Sequence, residues 1–303
     1  MSSCQQVTQL QQPNHQSYMV GVGLRHQHYR EALLGTSAVD FVEVHAENFF
    51  ADGGMARQLI SDVAELYPIS LHSTSMGLGS AAGVNHSYLQ RLERLVQELK
   101  PILVSDHACF TWAEVGGRSA HAGDLLPIEF TQQSLKVMQE NVDRVQQLLG
   151  RQILVENLSA YIEFEHSQMQ ETEFLTELVH NTGCGLLVDL NNLLVNGHNF
   201  GDGDALHRAK QWLSEIPAVA VGEIHLAGYQ PVADGELIID DHSRPVSDEC
   251  WQLFRFAVAQ FGAVTTLIEW DNELPTWRTL IGQAEQAKAI MVTECERGLA
   301  HVG

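Results

Sequence analysis

Basic side chains are scarce in this chain: 17 Lys plus Arg stand against 38 Asp plus Glu, a formal charge of -21 over 303 residues. A surface of that sign repels phosphate backbones and anionic lipid headgroups, so neither a nucleic acid nor a membrane is an expected partner. Cysteine is thin as well. Cys4, Cys109, Cys184, Cys250 and Cys295 are odd in number, far apart and without a CxxC pair. That excludes a disulfide framework and a thiolate zinc site, and it suits a reducing cytoplasm. No apolar run approaches the roughly 20 residues that a membrane-spanning helix needs. The opening MSSCQQVTQLQQPNHQ lacks both a basic start and an apolar stretch. It reads as a disordered tail over residues 1–17 ahead of one domain over 18–303, and not as a secretory signal. No GxGxxG marks a dinucleotide site, and no GxSxG or reactive-cysteine context marks a hydrolytic triad.

What the chain does have is apolar residues at 45%, enough for a substantial core, and 15 His, the commonest metal ligand. Short β-rich runs recur: MVGVGL from Met19, FVEVH from Phe41, ISLHS from Ile69, ILVSDH from Ile102, ILVENLS from Ile153, GLLVDLNN from Gly185, AVGEIHLAG from Ala220 and TTLIEWD from Thr265. Segments of helical periodicity lie between them, such as those from His86, Phe130 and Asp248. Asn85 and Ser247 are good N-caps, and Gly150 and Gly262 good helix stops. Alternating strands and helices imply a parallel sheet, and eight repeats without a biased linker predict a single-domain α/β protein, a (β/α)8 TIM barrel. An open doubly wound sheet is the alternative.

In a TIM barrel the chemistry sits at the C-terminal ends of the strands. Here those ends are Arg25, His45, His72, His107, Glu156, Asp189, His225 and Glu269, all ionisable. The segment IIDDHSRPV adds Asp240 and His242, two apart and so on one side of an extended stretch. A circle of bare carboxylates would repel itself, which points to bound cations. Imidazole and carboxylate without thiolate suit iron, manganese or zinc. The ligands are too many for one ion, so two or three metals sharing a carboxylate are expected, with Glu156 the bridge. Asp106 faces the opposite side of its strand from His107, as an outer carboxylate would. Glu43, His45, Glu47 and Asn48 in EVHAEN stand beside the pocket. His45, Asn48 and His198 are read either as supporting or substrate-contacting residues or as ordinary loop hydrogen-bonders. Arg25 either meets a peptide carboxylate or offsets the acidic circle, and Cys109 is expected as a packed thiol.

The stretches GVGLRHQHY, VDFVEVHAENFF, SLHSTSMGLGS, SDHACF, VENLS, VDLNN, EIHLAGY, IDDHSRPV and IEWDNELP resemble, in order, the motifs of the multinuclear non-haem iron-dependent oxidative enzymes, also catalogued as domain-of-unknown-function family 692. The resemblance runs from about Met19 to about Ile290. It implies a xylose-isomerase-like TIM barrel with two or three iron ions in mixed Fe(II)/Fe(III) states. The implied reaction uses dioxygen to modify cysteine in a ribosomally synthesised precursor peptide, as in oxazolone and thioamide formation, excision of the cysteine β-carbon, or thiooxazole formation. It also implies a partner protein that presents the peptide, or pairing of the chain with itself as a homodimer. Carried over by motif, His72, His107 and Glu156 would hold the first iron. Glu156, Asp189, His225 and Glu269 would hold the second, and Asp240, His242 and Asn192 the third. The catalytic set is then His72, His107, Glu156, Asp189, His225 and Glu269. Some relatives place a His where this chain has Asn192, and an amide oxygen is the weaker ligand. Two rival readings put other chemistry on the same barrel: an endonuclease IV-like phosphodiesterase, which the charge disfavours, and a sugar isomerase.

Overall fold

The computed structural model describes residues 19–35, 38–201, 203–233 and 235–302. The expected tail over 1–17 lies outside the described residues. Among the described residues ten strands are present: β1 (Val20–Gly23), β2 (Phe41–His45), β3 (Ile69–His72), β4 (Leu103–His107), β5 (Cys109–Val115), β6 (Arg118–Pro127), β7 (Leu154–Glu156), β8 (Gly185–Asp189), β9 (Val221–Leu226) and β10 (Thr265–Ile268). Eight of them close a parallel barrel in the order β1-β10-β9-β8-β7-β4-β3-β2. They coincide with the eight apolar runs. The helices are α1 (Tyr29–Ala32), α2 (Met55–Ala64), α3 (His86–Leu99), α4 (Gln132–Leu149), α5 (Glu171–Thr182), α6 (Leu190–Phe200), α7 (Ala205–Glu215), α8 (Asp248–Phe261) and α9 (Trp277–Val302). The open-sheet alternative is thereby set aside. No helix among the described residues is long and apolar enough to cross a membrane.

The helix ends follow their residues. Asn85 Oδ1 accepts from the amides of Ser87 and Tyr88 to start α3, and Ser247 Oγ accepts from Cys250 N to start α8. Gly150 closes α4 at φ 64°, where only glycine is free of strain. Strands β5 and β6 form an antiparallel hairpin projecting after β4, which the search for parallel strands did not anticipate. Its turn is Gly116–Gly117, at φ 58° and 73°, the two left-handed residues that a tight hairpin loop requires.

Period-two alternation gives each barrel strand two fates. Val42, Val44, Leu71, Val104, Val155, Val188, Ile224 and Ile268 face outward and join the helices in one continuous buried cluster. Phe41, Leu154, Leu187 and Leu267 are equally buried but stand apart from it, inside the barrel. At the barrel floor the space for Phe41 and Leu154 comes from glycine. A Cβ on Gly21 would lie 2.7 Å from the Phe41 ring, and one on Gly185 would lie 2.5 Å from Leu154 Cδ2. Above that apolar floor the inward positions turn polar.

Candidate metal centre

The strand-end residues converge. His45 sits beside His72 in register, His107 beside Glu156, and Asp189 beside His225. Among the described residues five sets of ligand atoms each fall within 4.8 Å of one another: His72, His107 and Glu156; Glu156, Asp189 and His225; Asp189, His242 and Glu269; Glu43, His225 and Glu269; and His45, Glu269 and Asp271. Glu156 is common to the first and second of these, Asp189 to the second and third, and Glu269 to the last three.

Neighbouring groups aim the ligands. His72 Nδ1 lies 2.8 Å from Ser105 Oγ, which leaves Nε2 turned to Glu156 Oε2 at 3.4 Å. His107 Nε2 approaches the same oxygen at 3.2 Å. Asp189 is the N-cap of α6: its Oδ1 accepts from Asn192 N at 2.6 Å, while Oδ2 is buried without a partner. Glu156 Oε2 is also buried without a hydrogen-bond partner. Such orphaned acceptors are costly in a dry interior unless a cation or proton meets them. Burial pushes the carboxyl of Glu156 up to about 8 and that of Asp189 up to about 7. Glu269 goes the other way: burial would raise it, but His242 and His225 outweigh that and hold it down at about 2. A cation entering the site displaces the protons that Glu156 and Asp189 otherwise hold.

The third set is built from the loop before α8. His242 Nε2 and Asn191 Nδ2 each lie 2.7 Å from Asp240 Oδ1, and Ser159 Oγ donates to Asp240 Oδ2 at 3.0 Å. His242 adopts φ 44°, a left-handed conformation unusual for histidine, and its carbonyl accepts from Asp271 N at 2.9 Å. Asn192 is buried with Oδ1 unpartnered while its Nδ2 donates to Asn157 O, so an amide oxygen is free there.

Arg25 is engaged on the acidic side through Nε and Nη2, while its Nη1 is buried with no hydrogen-bond partner among the described residues. Its Nε donates to Asp271 Oδ1 at 2.6 Å, and Nη2 lies 3.4 Å from Glu269 Oε1 and 3.1 Å from His45 Nε2. These contacts offset the acidic circle, one of the two roles weighed for Arg25. His45 is part of the same group, with burial and Arg25 lowering its pKa. Asp106 faces away from the lumen, as strand parity predicts, and ties the loop after β3 to β4 by accepting from Met76 N at 2.8 Å. Glu47 bonds Tyr88 Oη and Thr74 N. Asn48 is exposed in the 3-10 turn after β2 and takes part in none of the centre's hydrogen bonds. His198 is outside the centre, paired with Glu249 at 2.8 Å. Cys109 is buried, and burial raises its thiol pKa well above the usual value.

Sequence reasoning missed Asp271, Ser105 and Glu223. Glu223 precedes His225 by two residues, so the same alternation that placed His225 also turns Glu223 inward. Beside the centre, the loop after β7 and the base of the hairpin enclose a cavity of about 400 Å³. Its lining includes Ile128, Phe130, Leu158, Ile162, Phe164 and Met169. Leu158 and Ala160 line it on either side of Ser159, the residue that bonds Asp240.

These features define a xylose-isomerase-like TIM barrel with a polar mouth. The fold matches a xylose isomerase domain containing protein from Salmonella typhimurium at TM-score 0.59 and 14% identity, over 91% of this chain and 97% of that one. It also matches endonuclease IV from Thermus thermophilus at TM-score 0.54 and 13% identity, over 91% and 99%. In sequence, a UPF0276 protein of Chromobacterium violaceum is 45% identical over 278 residues, 91% of this chain and 96% of that protein. The family model described as RiPP precursor modification enzyme MbnB/TglH/ChrH matches residues 19–292, and the chain belongs to that enzyme family.

Proposed function

We propose that the chain binds two or three iron ions at the barrel mouth and uses dioxygen to oxidise cysteine residues of a ribosomally synthesised precursor peptide. The observation that supports this reading is a pair of buried carboxylate oxygens without hydrogen-bond partners, Glu156 Oε2, which faces the Nε2 atoms of His72 and His107, and Asp189 Oδ2. The residues fit the group. His72, His107 and Glu156 would hold one ion, Glu156, Asp189, His225 and Glu269 a second, and Asn192, Asp240 and His242 a third. The donor set has the hard and borderline character that iron accepts. When bound, iron supplies a seat for the substrate thiolate and the electrons that reduce dioxygen.

The chain's own residues do the rest. Ser105 and the α6 cap hold His72 and Asp189 in place. Arg25 draws off part of the negative charge on Glu269 and Asp271 without closing the mouth. The cavity beside Ser159, with apolar walls from Ile128, Phe130 and Leu158 and polar ones from Glu163 and Gln168, has the size to take a side chain flanking the modified cysteine. The charge of -21 would steer a basic leader peptide or a basic presenting partner towards the mouth. Association with the peptide or partner is therefore expected to weaken as salt is raised from about 0.05 to 0.5 M, and an affinity unchanged over that range would remove the steering role. Whether the chain works with such a partner or as a homodimer is read from its elution with and without the peptide.

The test is metal analysis of protein purified without air, followed by addition of a short cysteine-bearing peptide encoded beside the gene. Two or more irons per chain, with loss of the peptide thiol that depends on dioxygen, is the expected result. Stoichiometric zinc together with nicking of abasic DNA would overturn it in favour of the endonuclease-type reading.

A further inference from the structure

Beneath the mouth is a second polar layer, of which Glu43 also groups with His225 and Glu269 within 4.8 Å. Glu43 on β2 is two residues before His45, and Glu223 on β9 two before His225, so both turn into the lumen. Each is 0% exposed. Barrel interiors are ordinarily filled at this depth by branched aliphatic side chains. Ser70 Oγ donates to Glu43 Oε2 at 2.9 Å. Among the described residues, Glu43 Oε1, both oxygens of Glu223 and Nε2 of His225 have no hydrogen-bond partner. Both glutamates make ion-pair contact with the same imidazole. His225 Nε2 lies 3.5 Å from Glu43 Oε1 and 3.9 Å from Glu223 Oε1, and His225 Nδ1 lies 3.0 Å from Glu269 Oε2. His225 thus turns one nitrogen to the mouth and the other to a buried pair of carboxyls. The other half of the centre is built differently, since His72 Nδ1 meets the neutral hydroxyl of Ser105.

We propose that Glu43, seated by Ser70 and backed by Glu223, is the positioning residue for His225. It accepts from the Nε2–H, leaves Nδ1 as the nitrogen that would donate to a metal, and makes His225 a stronger donor than His72. The physical basis is general: a carboxylate accepting the far N–H of a ligating imidazole fixes its tautomer and orientation and raises its basicity. This inference rests on the reading of the mouth as a metal centre. It explains why two acidic residues occupy a layer that stability alone would fill with leucine or valine, and it assigns unequal donor strength to the two halves of one cluster.

Cobalt(II) is the probe, since its visible bands report ligand field directly and binding can be followed without peptide or dioxygen. Glu43→Gln is close to isosteric and removes the carboxylate while keeping an acceptor for Ser70. The expected result is about 10- to 100-fold weaker binding of one cobalt ion, with a shift of its visible bands. Ser105→Ala, by contrast, is expected to weaken the other ion by less than about tenfold, because a hydroxyl partner contributes less than a carboxylate. A second measurement uses the native chain loaded with zinc: imidazole nitrogen chemical shifts report which nitrogen of His225 carries hydrogen. A proton on Nε2 supports the assignment and a proton on Nδ1 overturns it. A Glu43→Gln protein with native cobalt affinity and spectrum also overturns it. Native protein that takes up no cobalt or zinc at all would instead sink the underlying metal reading.

Discussion

The two faces of the same barrel strands obey opposite rules. On β3, Leu71 faces out into a continuous apolar layer, while its neighbours Ser70 and His72 face in to carboxylates. On β9, Ile224 faces out, and Glu223 and His225 face in with unpartnered atoms. Apart from Asp106, whose carboxylate accepts from Met76 N, the outer-facing residues named above are apolar and closely packed. The inner face, above the Phe41 and Leu154 floor, buries charge instead. One layer holds the barrel closed so that the other can stay strained.

The sharpest way to break this contrast is to remove the carboxylate shared by two ligand sets. Glu156→Gln is expected to lower metal content to no more than one weakly held ion and to cut peptide oxidation by about 1000-fold, equivalent to about 4 kcal/mol of transition-state stabilisation. The metal-free variant should be about as stable as the native chain near pH 4.5 and more stable as pH rises towards about 8, because burial keeps Glu156 protonated in the folded chain where the unfolded chain has released that proton. Metal analysis and chemical denaturation read the two effects. A metal-free variant that unfolds more readily would mean that the lumen contributes to stability after all.

The converse change is Leu71→Ala, one residue from His72 but on the outer face. It leaves a cavity in the cluster and is expected to cost about 3–5 kcal/mol of stability with metal stoichiometry of the folded fraction unchanged. Denaturation midpoints and metal content of the same sample check it. Loss of metal at native stability would show that the faces are not independent.

Within the lumen, Asn192 is the weak point. Its Oδ1 is buried without a hydrogen-bond partner, and under the proposed reading it would join Asp240 and His242 at the third ion. Asn192→His is expected to tighten the third ion by about tenfold, since imidazole is the better donor to iron or zinc. Titration with zinc under chelator competition reads the change, and an unaltered third affinity would place Asn192 outside the site.

How much of this was legible in the sequence follows from what each face demands. The eight barrel strands were readable because each is an apolar run ending in an ionisable residue, and their closure follows from the alternation with helices. Most of the candidate ligand circle was readable because it consists of strand ends, which need no knowledge of register. Glu223 was not singled out, because a glutamate inside an apolar run draws attention only once parity with His225 is applied. Asp271 was hidden beyond the strand, where only the fold brings it to Arg25. Asn48 looked close to the pocket in sequence, but the 3-10 turn after β2 carries it to the surface. The hairpin did have a signal in Gly116–Gly117, set between Trp112 and His121, but that signal belongs to antiparallel pairing and is invisible to a search for βα repeats.

The mildest test concerns a carboxyl in the surrounding helical layer. Glu171 opens α5, partly exposed, and accepts from Trp212 Nε1 at 2.9 Å. Burial raises its carboxyl from 4.5 to about 7, only partly opposed by that hydrogen bond. Between about pH 4.5 and 7 the folded chain therefore holds a proton that the unfolded chain has released, and stability declines as pH rises across that window. The full shift would correspond to about 3 kcal/mol, and partial exposure reduces that to about 1–2 kcal/mol. Glu171→Gln keeps the acceptor for Trp212 and removes the titration. The variant should match the native chain near pH 4.5 and exceed it by that amount at pH 8, with metal content unchanged. Equal denaturation midpoints at pH 8 would mean that Glu171 ionises without penalty, and that the outer layer tolerates charge better than its composition suggests.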